Sequence, residues 1–160
     1  QRQRLLLAIA LVNDPELVFL DEPTTGLDPQ SRRNFWQLIS RIRDEGKTII
    51  LTTHYMEEAS VLCDHIAVID HGRIIEEGAP AALLATHFPP ALIRLPRLAF
   101  GGTIPAGFER QGERLQCATR DIHASLEELR RLGVDLGELE IGAPTLEDLF
   151  LKLTGQQLRA

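Results

Sequence analysis

Two adjacent acidic residues, Asp21 and Glu22, directly follow an apolar run at residues 17–20. Such a run predicts a strand that is buried on both faces of a parallel sheet. The two carboxylates then lie at the carboxyl end of the strand, where open α/β sheets bind their ligands. One carboxylate can bind a hard cation such as Mg²⁺, and the other can orient a water molecule or accept its proton. The pair therefore indicates a site for a cation and a hydrolytic water.

The segment after the acidic pair predicts a loop that leads into a helix. Pro23 disfavours the right-handed helical region for Glu22, so we expect Glu22 to be extended. Asp28 and Pro29 are typical of the N-cap and the first position of a helix. Up to Gly46, apolar residues then recur at helical spacing, namely Phe35, Leu38, Ile39 and Ile42.

A second strand is predicted at residues 48–53, all of which are β-branched or apolar. Strand, helix and strand make a βαβ unit, in which the two strands run parallel. Because the carboxyl ends of parallel strands meet at one edge of a sheet, we expect His54 to lie beside Asp21. His54 is thus a third candidate site residue.

The segment LVFLDEPTTGLD at residues 17–28 resembles the Walker B and D-loop segment of ABC-type ATPases, and Thr-Thr-His at residues 52–54 extends the resemblance. In that family the aspartate serves the Mg²⁺ of Mg-ATP, and the next glutamate handles the attacking water. The Gly-Leu-Asp loop crosses to the partner subunit, and the histidine senses the γ-phosphate. The resemblance implies that Glu22 and His54 are catalytic, that Asp21 and Asp28 bind the nucleotide, and that Asp21 is the metal ligand.

The start of the chain resembles another part of the same family. Residues 1–5, QRQRL, are similar to the residues that close the ABC signature sequence, which implies that Gln1 contributes to ATP binding. The Ser-Gly-Gly part of that signature is absent, and no Gly-x-x-x-x-Gly-Lys-Ser/Thr loop occurs. The resemblance therefore implies the C-terminal portion of a longer ATPase subunit, which lacks the Walker A region and is inactive alone.

The predicted fold class is α/β, and the resemblance identifies a partial P-loop NTPase (ABC ATPase) parallel-sheet domain at residues 1–88. This domain is expected to end with a hairpin at the sheet's edge, around a turn at residues 70–72. Pro89 and Pro90 predict a boundary, after which residues 91–160 form a small α+β appendage. The appendage is predicted to include strands at 91–95, 107–111, 113–119 and 135–141 and helices at 122–132 and 145–154.

The ending at residues 143–155, APTLEDLFLKLTG, resembles that of drug-export and related multidrug or polysaccharide ABC ATPase subunits. The family resemblance implies ATP and Mg²⁺ as cofactors, and ATP hydrolysis that powers an exporter. It implies two partners, a second ATPase subunit, in a homodimer, and a transmembrane permease subunit. The expected location is the cytoplasm, peripheral on the inner face of the cell membrane.

Composition agrees with a globular chain, since 44% of the residues are hydrophobic and 25% are charged. The longest apolar run, residues 5–12, lies in a predicted buried helix and is far shorter than the roughly 20 residues that span a bilayer. The net charge of −6, without a basic stripe, argues against nucleic acid as a partner. Cys63 and Cys117 show no metal-ligand spacing and are interpreted as reduced, buried and structural.

Two alternative function classes are compatible with the same sequence features. One is a non-transport ABC-type ATPase of translation or DNA metabolism. Such a protein is expected to have coiled-coil arms, a second cassette or basic patches, and none appears in this segment. The other is a non-enzymatic regulatory or dimerisation module built on residues 91–160. For single residues, the simpler structural interpretations are a core position for Trp36 and first-turn helix acids for Glu57 and Glu58.

The isolated chain is expected to bind Mg-ATP very weakly and to show no turnover above background. Asp21 alone offers one carboxylate to a metal ion that also needs phosphates held in place. Isothermal titration calorimetry with Mg-ATP, with Mg²⁺ alone as the control, measures the affinity. A dissociation constant in the low micromolar range or below would show that the missing phosphate loop does not dominate binding.

Overall fold

The computed structural model describes residues 2–100, 104–111 and 113–155. The predicted ATP-binding residue Gln1 lies outside these residues. Tertiary contacts divide the chain into two compact units, Gln1–Ile66 and Ala67–Ala160. Each unit has a hydrophobic core of its own.

The first unit alternates helices and strands. It contains α1 (Arg2–Leu11), β1 (Leu17–Asp21), α2 (Pro29–Asp44), β2 (Thr48–Thr52) and α3 (Met56–Leu62). The two strands pair in parallel, in a register that runs from Leu17 opposite Thr48 to Asp21 opposite Thr52. The predicted βαβ unit is therefore confirmed, and its strands end side by side.

Asp28 is the N-cap of α2, as the sequence predicts. Oδ1 of Asp28 accepts hydrogen bonds from the backbone N–H groups of Gln30, at 3.0 Å, and Ser31, at 2.9 Å. Pro29 occupies the first turn, where its missing N–H costs no helical hydrogen bond. Hydrogen bonds from the side chain and then the backbone of Ser31 lower the pKa of Asp28 below its ordinary value. The ionised carboxylate is thus part of the helix start.

The apolar face of α2 packs against one face of the strand pair. The core of this unit contains Leu7, Val18, Phe35, Trp36, Ile39, Ile42 and Leu62. Trp36 is 6% exposed, which confirms the predicted core position. The helix that crosses between the strands therefore also provides most of the core that holds them.

The opposite face of the strand pair is open. Phe19 is 69% exposed, and Ile50, its partner in register on β2, is 48% exposed. On α1, Leu7 is buried, whereas Leu5 and Ile9 are exposed. The predictions that β1 is buried on both faces and that α1 is a buried helix are therefore wrong for this chain, because no described element of the unit covers these side chains.

A hairpin follows, made of β3 (Ile66–Asp70) and β4 (Arg73–Gly78). The residues of its turn, His71 and Gly72, have φ values of 46° and 74°, and positive φ at both positions is what a two-residue hairpin of type I′ requires. The hairpin is present as predicted. It forms a two-stranded sheet of its own, so its predicted place at the edge of a larger sheet is wrong.

The second unit is built on a four-stranded antiparallel sheet in the order β6-β7-β5-β8. Its elements are α4 (Pro80–His87), β5 (Ala91–Pro96), β6 (Glu109–Gln111), β7 (Arg114–Thr119), α5 (Ile122–Arg131), β8 (Glu140–Gly142) and α6 (Leu146–Thr154). Its core contains Ile93, Leu95, Phe100, Leu115 and Leu129. Strand β8 is shorter than predicted, because the side chain of Asp135 accepts a hydrogen bond from the Gly137 N–H, which forms a turn there instead.

Helix α6 contacts α4 within the second unit. The Lys152 ammonium donates a hydrogen bond to the carbonyl of His87, at 2.6 Å, and lies 4.7 Å from the centre of the Phe88 ring. These contacts explain why α4 groups with the sheet that follows it. The compact units divide after residue 66, whereas the predicted domain bounds of 1–88 and 91–160 stay a prediction.

Among the described residues, no helix combines the length and the apolar character that crossing a membrane requires. Cys63 and Cys117 are both free thiols, and both are partly buried, so the interpretation of them as buried is wrong. Burial raises the pKa of each thiol, and nearby acidic groups raise it further. A raised pKa disfavours the reactive thiolate, which supports the interpretation of both cysteines as structural.

Removal of the Asp28 cap is expected to destabilise the first unit. Because the folded-state pKa of Asp28 is lowered, its contribution is complete above the unfolded pKa of about 3.9 and is lost as the pH falls through the folded pKa. Asp28→Ala should lower the melting temperature at pH 7 by roughly 2 to 4 °C.

The matched control is Asp28→Asn, whose amide oxygen caps as well but does not titrate. The melting-temperature difference between wild type and Asp28→Asn should therefore change as the pH falls below about 4 and stay constant above that pH. A constant difference over the whole range would contradict the lowered pKa.

The isolated chain is expected to self-associate through the open face of the β1–β2 pair, since an exposed apolar patch and unpaired strand edges both favour association. Light scattering should show oligomers, and the double variant Phe19→Thr/Ile50→Thr should shift the mass towards the monomer. Leu98→Thr is the control, because Leu98 is 93% exposed but lies in the second unit. A monomeric wild-type chain, with its slowest amide exchange in residues 17–53 and not in 91–160, would contradict this expectation.

Candidate active site

Asp21 ends β1 on an exposed edge, directly opposite Thr52 of β2. The Thr52 hydroxyl donates a hydrogen bond to Oδ1 of Asp21, so the parallel register orients this carboxylate. No group of three His, Cys, Asp or Glu residues that could hold a metal occurs in the described part of the chain. Mg²⁺ commonly takes one or two protein carboxylates and completes its shell with phosphate oxygens and water. Asp21 therefore fits a single protein ligand of a phosphate-bound cation, not a closed protein site.

Glu22 continues the strand pairing for one residue and then turns the chain. Its N–H donates to the carbonyl oxygen of Thr52, at 3.0 Å, and to the Thr52 hydroxyl, at 3.2 Å. Its carbonyl accepts from the N–H of Thr25, at 3.2 Å. The φ of Glu22 is 43°, which lies in the left-handed region. The predicted extended conformation is wrong: Pro23 excludes the right-handed helical region, and this turn uses the left-handed one.

The side chain of Glu22 contacts both sides of the site. Its Oε1 lies 3.1 Å from Nδ1 of His54, and its Oε2 accepts a hydrogen bond from the Thr25 hydroxyl, also at 3.1 Å. Because a carboxylate only accepts, Nδ1 of His54 is the donor in this pair. Both side chains are about half exposed, at 47% for Glu22 and 45% for His54. The carboxylate is thus oriented but open to solvent, as a group that binds water must be.

The ring of His54 contacts Tyr55, which in turn contacts Arg32. The ring of Tyr55 lies 4.2 Å from the His54 ring, at an interplanar angle of 39°. The guanidinium of Arg32, on α2, lies 4.0 Å from the centre of the Tyr55 ring, within cation–π range. Helix α2 therefore helps to position the histidine that follows β2.

The structure brings together Asp21, Glu22 and His54, whereas Asp28 caps α2, and its role in binding the nucleotide stays a prediction. The hydrogen bonds of Asp28 go to the first turn of α2 and not to the other candidate residues. Its loop is contacted by α1, where the Gln3 side chain donates to the carbonyl of Thr25, at 3.2 Å. Asp28 is exposed, as a residue that meets a second molecule has to be.

Sequence reasoning missed the two threonines that orient the carboxylates, Thr25 and Thr52. Thr25 lies close in sequence to the acidic pair, and Thr52 lies close to His54. This proximity of hydroxyl groups to the candidate residues was the available signal. It also missed Glu58, which is in the first turn of α3 as predicted but is 0% exposed. No local signal indicates that burial, because its hydrogen-bond partners, Thr24 and Trp36, are 34 and 22 residues away.

Three comparisons place the chain among known proteins. Residues 2–59 match the family described as "AAA domain, putative AbiEii toxin, Type IV TA system". The chain is 44% identical over 168 residues to Nod factor export ATP-binding protein I of Rhizobium sp. (strain N33), an alignment that covers 98% of this chain and 53% of the relative. It is 44% identical over 165 residues to the protein of the same name from Sinorhizobium fredii, with coverages of 99% and 47%.

A solved structure, a dimeric post-hydrolysis state of an ATP-binding cassette bound to ADP and Pi, matches 49% of this chain and 34% of its own length. The identity is 30% and the TM-score is 0.45, which is too low to support an argument about the fold.

The chain spans about half the length of the curated relatives it matches. These relatives align with both units, since the alignments cover 98% and 99% of the chain. The predicted βαβ unit, with an Asp-Glu pair and a histidine at one edge, is present in the structure. The chain therefore belongs to the family of ABC-transporter ATP-binding subunits.

Proposed function

We propose that this chain is part of an ATP-hydrolysing subunit that powers an ABC exporter. The observation that carries the proposal is the contact between Glu22 and His54, at 3.1 Å, next to Asp21 at the end of the parallel strand pair. This arrangement places three groups at one exposed edge: a candidate metal ligand, a candidate base for water and a candidate hydrogen-bond donor to phosphate. These are the groups that hydrolysis of a nucleoside triphosphate requires.

In this proposal, Asp21 holds the Mg²⁺ of Mg-ATP, Glu22 orients the attacking water or accepts its proton, and His54 donates to the γ-phosphate. Bound Mg²⁺ neutralises charge that develops on the phosphate oxygens. Thr52 and Thr25 keep the two carboxylates in separate orientations, because each hydroxyl donates to one of them. The carboxylates can therefore perform different tasks although they are adjacent in sequence.

The same site is incomplete for turnover. A loop of Gly-x-x-x-x-Gly-Lys-Ser/Thr, which cradles the β- and γ-phosphates, does not occur in these 160 residues. Positioning accounts for a large part of catalysis in phosphoryl transfer. We therefore propose that hydrolysis occurs in a full-length subunit and that the 160-residue chain alone is inactive.

The proposed partners are a second ATPase subunit, reached by the loop that ends at Asp28, and a transmembrane permease subunit. Thr25, Gly26 and Asp28 of this loop are exposed, which supports the first partner. The second partner, and a location at the inner face of the cell membrane, rest on the export function in the names of the relatives. Nod factor is the cargo named for those relatives, and the proposal for this chain does not extend to a cargo.

An exporter is favoured over the other ATPase classes by the extent of the similarity. The AAA description covers residues 2–59, which hold only the ATPase motifs. The exporter relatives also match the second unit, up to the end of α6. The similarity therefore includes a part of the chain that the ATPase motifs alone do not explain.

In a full-length subunit, Glu22→Gln is expected to keep ATP binding but to lower turnover by about 10² to 10⁴, the usual effect of losing a general base. The amide fills the same space without the charge. Steady-state ATPase rates and nucleotide affinity of the two proteins measure the effect. Glu57→Gln is the matched control, because Glu57 is an exposed glutamate outside the site. Wild-type turnover in Glu22→Gln would refute the proposed role.

A further inference from the structure

Glu58 is fully buried, at 0% exposure, whereas its neighbour Glu57 is exposed. Burying a carboxyl group is unfavourable unless hydrogen bonds replace those that water supplied. An apolar side chain would fill the same space at a lower cost. The presence of a carboxyl group at this position is therefore explained by what it binds.

One oxygen of Glu58 joins three separate segments of the first unit. Oε1 accepts a hydrogen bond from the Thr24 hydroxyl, at 2.8 Å, and another from the indole N–H of Trp36, at 2.9 Å. Thr24 lies in the loop between β1 and α2, Trp36 lies on α2, and Glu58 lies on α3. The other oxygen, Oε2, is buried and has no hydrogen-bond partner among the described residues. The position of Glu58 is thus set by its two bonds through Oε1.

Thr24 is the buried centre of the loop that carries the proposed catalytic glutamate. It is 0% exposed, and its carbonyl accepts from the N–H of Leu27, at 3.1 Å. The next residue, Thr25, donates a hydrogen bond from its hydroxyl to Oε2 of Glu22. Two residues before Thr24, Glu22 has a left-handed backbone conformation. Any movement of Thr24 therefore moves both the Glu22 carboxylate and the hydroxyl that orients it.

Glu58 also lies four residues after His54, on the helix that begins at Met56. Its bond to Thr24 thus links the segment that carries His54 with the loop that carries Glu22. This link lies in the interior, whereas the contact between Glu22 and His54 is half exposed. The buried bond can hold the two segments in place while the exposed pair exchanges partners with ligands.

We infer that Glu58 is a positioning residue for ATP hydrolysis, which acts through Thr24 to hold Glu22 at its distance from His54. This inference rests on the proposed function, because it requires Glu22 and His54 to act in ATP hydrolysis. Glu58 is a positioning residue because it contacts none of the reacting groups. A purely structural role is the alternative, in which the two hydrogen bonds of Glu58 only stabilise the unit. The two roles differ in which of the bonds matters for turnover.

Two substitutions each remove one donor to the same oxygen. Thr24→Val removes the bond to the loop and keeps the bond to α2, and Trp36→Phe does the reverse. Both should lower the melting temperature of a full-length subunit. Only Thr24→Val should lower kcat, by roughly tenfold at an unchanged KM for ATP, since small misplacements of a catalytic group cost that much or more. Thr24→Ser, which keeps the hydroxyl, should restore kcat.

A third comparison tests whether the effect passes through Glu22. In the Glu22→Gln background, adding Thr24→Val should lower turnover less than twofold further, because the carboxylate that Thr24 positions is already absent. If Thr24→Val does not yield a folded subunit, Thr24→Ala replaces it in each comparison.

Equal losses of kcat in Thr24→Val and Trp36→Phe, wild-type kcat in Thr24→Val, or a full additional loss in the Glu22→Gln background would each overturn the inference. The proposed function is tested separately by Glu22→Gln alone. If Glu22→Gln lowers turnover but Thr24→Val does not, the inference fails and the function stands. If Glu22→Gln has wild-type turnover, the proposed function itself fails.

Discussion

The parallel pairing of β1 with β2 is the constraint on which the candidate site depends. Its register puts Asp21 opposite Thr52, and the N–H of Glu22 extends it by one residue. Two segments that lie some thirty residues apart in sequence therefore end at the same edge. His54 follows Thr52 by two residues, which brings its ring within 3.1 Å of the Glu22 carboxylate. Without this pairing, the acidic pair and the histidine would be unrelated solvent-exposed groups.

Immediately after the pairing ends, the chain adopts a conformation that it would not prefer by itself. A non-glycine residue with φ of 43°, such as Glu22, costs of order 1 to 3 kcal/mol. Such a conformation persists only where neighbouring groups enforce it. Here the hydrogen bond from the Glu22 N–H to the Thr52 carbonyl fixes one side of the turn, and the buried Thr24 fixes the other. The turn directs the Glu22 side chain towards His54 instead of along the strand, so that the two acidic side chains face different partners.

Local sequence patterns predicted most of the elements and the placement of three candidate site residues at one edge of the strand pair. The Asp28-Pro29 start of α2 and the strands of the βαβ unit follow from short-range preferences, and these were correct. The position of His54 beside Glu22 follows from the rule that parallel strands end at one edge. The second unit was predicted less well, because residues 135–139 form turns through side-chain bonds such as that of Asp135 to Gly137.

The features that sequence did not predict depend on contacts between distant residues. The burial of Glu58 requires Thr24 and Trp36 to converge on one oxygen, and no local pattern contains that information. The open face at Phe19 was missed for the opposite reason: an apolar strand indicates that both faces can be buried, but not that both are covered in this chain. The sequence pattern therefore predicted which side chains lie at the edge of the β1–β2 pair. Tertiary packing determines how these side chains are held.

The proton on His54 sets a condition on how the proposed site works. Nδ1 donates to Glu22, so a neutral ring leaves Nε2 as an acceptor, which repels a phosphate oxygen. Donation to the γ-phosphate thus requires either a second proton on the ring or release of Nδ1 from Glu22. In both cases Glu22 keeps the hydrogen bond from Thr25, and its remaining lone pairs can accept from water. The threonine bond therefore lets the histidine change partners without disordering the carboxylate, which is the physical reason that a support independent of His54 is useful in this loop.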